Sequence, residues 1–99
     1  MAQYKVKIGS RARDHLLKHT AFISKVSPNA AKQFRDDFSD IVKRLKDNPF
    51  QFPMHQKLNA LNLHHREAFF NGRYKALFTV EESEVFIDAI ADCRQKPEP

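Results

Sequence analysis

Three arginines carry the most legible chemistry of this chain. Arg66 and Arg73 each open a short strand pattern, and Arg94 follows a third. Guanidinium groups at the ends of one sheet suggest a surface that meets anions. Each has a plainer alternative, because Arg66 can pair with Asp88, and two of the three can salt-bridge Asp88 and Asp92. His55, His64 and His65 lie just before the first strand pattern and are the nearby side chains whose unperturbed pKa suits proton transfer near neutrality. At a loop-to-strand boundary, however, His64 and His65 read more often as surface residues than as catalysts. His15 and His19 stand four apart in a helical pattern, a spacing that can hold a metal. No third ligand or carboxylate signature accompanies them, so no metal site is expected. Cys93 is the lone cysteine and reads as a small strand-end residue. Gly9 and Gly72 are the only glycines, neither in a phosphate-cradling motif, and no nucleophilic triad is evident, so no cofactor is expected.

The elements that must position these groups follow from periodicity. Strands are expected over Arg66 to Phe70, Arg73 to Val80 and Val85 to Asp92. Asn71-Gly72 supplies the two positive φ values of a type I′ turn between the first two. In the middle strand Tyr74, Ala76, Phe78 and Val80 share one face, and Arg73, Lys75, Leu77 and Thr79 the other. The last strand is apolar on nearly both sides, with Asp88 the exception, which places it centrally in a parallel pair with an N-terminal strand. That N-terminal strand is read from Tyr4, Val6 and Ile8 alternating with Lys5 and Lys7.

Between them lies a helical hairpin. Ser10 is expected to cap a helix from Ser10 to Val26, whose apolar stripe is Ala12, Leu16, His19, Ile23 and Val26, widened by Leu17 and Ala21. Ser27-Pro28 starts the second arm, Pro28 to Asp47, with Ala31, Phe34, Phe38, Ile41 and Leu45 inward. On its outer side Lys32 with Asp36, and Asp40 with Arg44, are spaced to form ion pairs. Asp47-Asn48-Pro49 ends it. The stretch from Phe50 to His65 has no sustained period; a connection this long tends to be functional or ordered by a partner. Phe50, Phe52, Leu58 and Leu61 are expected to anchor it.

The fold class is therefore α+β: a single domain, residues 1–95, in the order β-α-α-β-β-β, with a mainly antiparallel four-stranded sheet and a helical hairpin packed on one face. Residues 96–99 read as a loose tail. A net charge of +5 and a pI near 9.6 attract polyanions without identifying one. The basic residues form no tract, which argues against a DNA-coating arm. No apolar run approaches the roughly 20 residues of a membrane span, and no signal-peptide core precedes the first strand, so no membrane association and a cytoplasmic location are expected.

Order and spacing together carry a resemblance: Ala12 to Ile23 and Ala30-Ala31 with Phe34 on the helices, Leu45 with Asn48-Pro49, Arg66 with Asn71-Gly72-Arg73-Tyr74, and the run Val85 to Arg94. Over nearly its whole length the chain resembles the RelE/ParE superfamily of bacterial type II toxins. The resemblance implies a toxin neutralised by a cognate acidic antitoxin in a hetero-oligomer. The long hairpin is closer to the ParE and plasmid-stabilisation branch, which implies growth inhibition by binding DNA gyrase, without bond cleavage, and Arg66, Arg73 and Arg94 as target-binding residues. The RelE branch implies a ribosome-dependent mRNA endonuclease instead. Cleavage through a 2′-hydroxyl needs a proton acceptor, charge-stabilising donors and an acid. Lys57, Arg66, Arg73 and Arg94 can stabilise charge, and His64 or His65 can move the proton. The tyrosine or histidine that several RelE-like nucleases carry beyond the final strand is absent here. An inactive member acting as a binding module is the third expectation.

Overall fold

Alternation of lysine with apolar side chains makes β1 (Lys5–Ile8), and two amphipathic helices follow, α1 (Ser10–Val26) and α2 (Pro28–Asp47). A single 3-10 turn (Pro49–Gln51) leads towards β2 (Arg66–Phe70), β3 (Tyr74–Glu81) and β4 (Glu84–Asp92). This is the order expected from the sequence. The computed structural model describes residues 3–55 and 64–93. Leu58 and Leu61, expected as anchors, and the tail 96–99 lie outside them.

The sheet order is β1-β4-β3-β2, with β1 parallel to β4 and the other pairs antiparallel. The last strand is thus central, beside the first. Local chemistry sets the helix limits. The Ser27 side chain accepts from the Ala30 amide with Pro28 at the first helical position, and Asn48 closes α2 while its side chain accepts from the Phe50 amide. At the other tip, Asn71 and Gly72 take φ values of 60° and 68°, the left-handed pair a type I′ turn requires.

Both helices cover one face of the sheet. Ala12, Phe34, Ile41 and Leu45 meet Ala68, Phe70, Tyr74, Ala76, Phe78, Val85, Ile87 and Ile90 in one core. Phe34 is its aromatic hub, its ring centroid 4.8 Å from Tyr74 and 5.4 Å from Phe70. Burying such a side chain contributes about 1.5–3 kcal/mol.

One irregularity phases the whole sheet. Phe78 pairs with Ile87 but Leu77 pairs with Ala89, so Asp88 is a surplus residue in β4. Such a bulge lets Val85 and Ile87 point inward upstream while Ile90 points inward downstream, although their spacing breaks period two.

Several expectations need correction. Ser10 is the first helical residue; Gly9 occupies the cap position and no side chain caps α1. Leu17 and Val26 are 67% and 80% exposed, because the sheet covers a narrower strip of α1 than the stripe drawn from spacing. The pairs Lys32 with Asp36 and Asp40 with Arg44 do not close. Arg44 turns instead to Gln51 Oε1, 3.0 Å away, and lies over the Phe52 ring. Phe52 is buried as expected, whereas Phe50 is half exposed and packs its ring edge-on against Tyr4.

Candidate functional site

Strand alternation decides which side chains face away from the helices. On the open face stand Glu67 and Phe69 of β2, Lys75, Leu77 and Thr79 of β3, Glu84 and Phe86 of β4, and Lys5 and Lys7 of β1. The segment before β2 adds to this face. Pro53 to His55 lies along the outer edge of β2, with Met54 bridged to Arg66, the His55 amide donating to the His65 carbonyl (2.7 Å) and the Glu67 amide to the Pro53 carbonyl (2.9 Å).

Register and this added segment bring together His55, Glu67 and Lys75. Glu67 Oε2 lies 3.6 Å from both His55 Nε2 and Lys75 Nζ, and Lys75 Nζ lies 3.4 Å from His55 Nε2. Their side chains are only 16%, 20% and 23% exposed, so water screens these charges less than on an open surface. With the imidazole neutral, Nε2 accepts from the Lys75 ammonium while the carboxylate balances its charge. A carboxylate, an imidazole and an ammonium in mutual reach can accept, pass and donate protons.

A second pair sits beside it. His65 Nε2 is 3.4 Å from Asp88 Oδ2, where the bulge projects that carboxylate onto the open face. The pair borders a depression of about 400 Å³ that Lys7, Thr79 and Phe86 also line. Lys7 is bound to Glu84 at 2.8 Å and lies 5.7 Å above the Phe86 ring. His65 thus reaches the sheet surface, whereas His64 is exposed in left-handed backbone (φ 51°).

Arg66 and Arg73 both turn to internal contacts, Arg73 to one of the two carboxylates that the sequence offered. Arg66 shares its parity with the inward Ala68 and Phe70; its guanidinium donates to the Phe52 carbonyl at 2.8 Å and lies over the Phe50 ring. Arg73 belongs to the turn that precedes β3, so strand alternation does not place it with Lys75. It clasps Asp92, with Nε 3.1 Å from both carboxylate oxygens and a terminal nitrogen 2.7 Å from Oδ2. This hydrogen bond raises the Arg73 pKa further above its usual value. Arg66 and Arg73 mark opposite ends of the β2–β3 hairpin, separated along β2 by roughly 13 Å at the usual strand rise. These two do not build the common surface expected of them. Lys57 and Arg94 lie outside the described residues.

Cys93 is exposed at the end of β4, next to the first cluster. Burial of the thiol itself raises its pKa, and Asp92 and Glu67 raise it further against the opposing effect of Lys75, so it is not an activated nucleophile. His15 and His19, spaced as if for a metal, bond instead to the backbone of Ile90.

A different surface lies on the hairpin. Between α1 and α2, Leu16, Leu17, Phe34 and Phe38 floor a groove of about 350 Å³ whose rim carries Arg13 and Arg35. Phe22 and Val26 are exposed on the other side of α1, Phe22 at a separate depression lined by Lys18, His19, Arg73, Tyr74 and Asp92. No described helix is long and apolar enough to cross a membrane.

The open-face cluster was only partly legible beforehand. Alternation placed Lys75 outward and His55 was noted as titratable, but their meeting with Glu67 depends on the β2–β3 register and on the path of Pro53 to His55. Neither a protein-family model nor a curated protein sequence matches the chain.

Proposed function

We propose that this protein is the toxin of a type II toxin-antitoxin pair, closer to the ParE branch, which inhibits growth by binding its target. The supporting observation is the arrangement of the chain: β-α-α-β-β-β, with a long hairpin on one side of a β1-β4-β3-β2 sheet and no described helix on the other. DNA gyrase is the target that the resemblance suggests. Engagement of Arg66 and Arg73 in internal contacts leaves neither guanidinium held ready for a transition-state phosphate or for the target contact expected of it. The apolar groove rimmed by Arg13 and Arg35 suits an acidic amphipathic antitoxin segment.

One observation favours a second reading. His55, Glu67 and Lys75, with His65 and Asp88 beside them, give the open face proton-transfer groups that a ribosome-dependent mRNA endonuclease requires.

Induced expression in bacteria separates these readings. Growth arrest with gyrase-dependent DNA breaks, relieved by an acidic protein encoded alongside, is the expected result. Codon-linked cuts in ribosome-bound mRNA would transfer the assignment to the endonuclease, and unimpaired growth would leave an inactive member of the superfamily.

A further inference from the structure

The two histidines of α1 occupy a place that a strand would normally fill. β1 ends at Ile8 opposite Ile87, where the Gly9 amide donates to the Ile87 carbonyl at 2.9 Å. Beyond that point no strand among the described residues neighbours the flank of β4, and the bulge at Asp88 makes Ile90 the next residue to present its backbone there. Ile90 is 2% exposed, so water does not serve these groups. The Ile90 amide donates to His15 Nδ1 at 3.2 Å, and His19 Nε2 donates to the Ile90 carbonyl at 3.1 Å. One turn of helix thus supplies the acceptor and the donor that an adjacent strand would have supplied.

We infer that His15 and His19 form an acid-released clamp between α1 and β4, in which protonation of His15 opens one jaw while His19 holds the other. The asymmetry is chemical. His15 must offer a lone pair at Nδ1, which fixes the neutral form with hydrogen on Nε2. A proton at Nδ1 removes that acceptor and sets two donors against each other. His19 donates from Nε2 whether its ring is neutral or charged, so its contact survives acid.

The surroundings of His15 oppose its charging. Burial lowers its pKa below 6.5, and Arg11, His19 and Lys18 lower it further against the raising effect of Asp14. On β4 the flanking acids are committed elsewhere: Asp88 faces His65 and Asp92 holds Arg73. α2 brings Phe34 against the His19 ring, 6.3 Å between centroids, and β3 brings the Tyr74 ring to 4.9 Å; neither element adds a charge that shifts His15. The jaw is therefore shut at neutral pH and opens only in acid, below the ordinary imidazole range.

Amide hydrogen exchange and imidazole nitrogen shifts, followed by NMR from pH 7.5 to 5.0, test the clamp. In the wild-type protein, protection of Ile90 relative to the Ala76 and Phe78 amides should fall about fivefold or more in acid, the effect of losing one hydrogen bond. His15→Asn keeps an acceptor oxygen near the Nδ1 position that cannot be protonated in this range, and its Ile90 protection should stay flat. His19→Gln keeps a donor and should retain the wild-type pH response. Equal pH responses in wild type and His15→Asn would overturn the inference. Independently of any variant, so would a neutral His15 ring carrying its hydrogen on Nδ1.

Discussion

Arg73 grips Asp92 with two prongs, tying the turn between β2 and β3 to the last residue of β4. The carboxylate is almost sealed, with its side chain 6% exposed, while Arg73 keeps 26% of its surface in water. Arg73→Met should therefore destabilise the fold by about 2–3 kcal/mol, somewhat below the cost of orphaning a fully buried charge. Asp92→Asn, which keeps part of the hydrogen bonding, should cost less. Chemical denaturation of both variants checks the order, and an equal, negligible effect would show that the pair is decorative.

On the open face, Lys75→Met and His65→Asn separate the two functional readings. Both side chains leave the core untouched, so stability should change by no more than about 1 kcal/mol. Toxicity should persist if the protein acts by binding. A loss of mRNA cutting of about a hundredfold, with unchanged folding, is the outcome if these groups move protons.

The exposed residues of α1 predict a partner surface. Leu17→Ser and Phe22→Ser should leave stability within about 0.5 kcal/mol of wild type, because neither side chain is in the core. Leu17→Ser should weaken antitoxin binding by about 1–3 kcal/mol, the range for an anchor residue, whereas Phe22→Ser, which lies outside the groove, should not. Calorimetric titration against the acidic partner gives the comparison.

Global stability should also respond to pH through His15. Its folded pKa is depressed, so the unfolded chain binds the proton more readily. The stabilising contribution is complete above the unfolded value of 6.5 and is lost as pH falls through the folded value. Denaturation midpoints measured between pH 7.5 and 5.0 should decline in the wild type, and His15→Asn should remove that part of the decline.

At the hairpin tip, Gly72→Ala places a side chain at φ 68°. Nothing lies within 4 Å of the added methyl, so the cost is conformational alone, about 1–2 kcal/mol. A much larger loss would mean that the tip packs against something else.

Helix limits were legible because local groups set them. Ser27-Pro28 and Asn48-Pro49 hold their own capping contacts, and both helices begin and end where spacing and punctuation placed them. Strand order was legible too, since only a central strand can be apolar on both sides. What escaped was everything that depends on register. That Arg73 binds Asp92, 19 residues away, was only one of the alternatives the sequence left open, and the register chose it. His15 and His19 read as a metal spacing because the strand flank they serve does not exist until the sheet assembles. The bulge had one faint signal: inward residues at 85 and 87 followed by one at 90, with Asp88 interrupting the apolar run.

The surplus residue at Asp88 makes the C-terminal segment sensitive to length. Deleting Asp88 would remove the bulge yet leave Ala89 opposite Leu77 and Ile90 opposite Ala76, so the inward pattern downstream would survive. Inserting one more residue between Phe86 and Ala89 would instead invert every position that follows: Ile90 would turn to solvent, Ala91 would replace it inside, and Asp92 would leave Arg73. In these few positions insertions should therefore be far less tolerated than deletions or replacements.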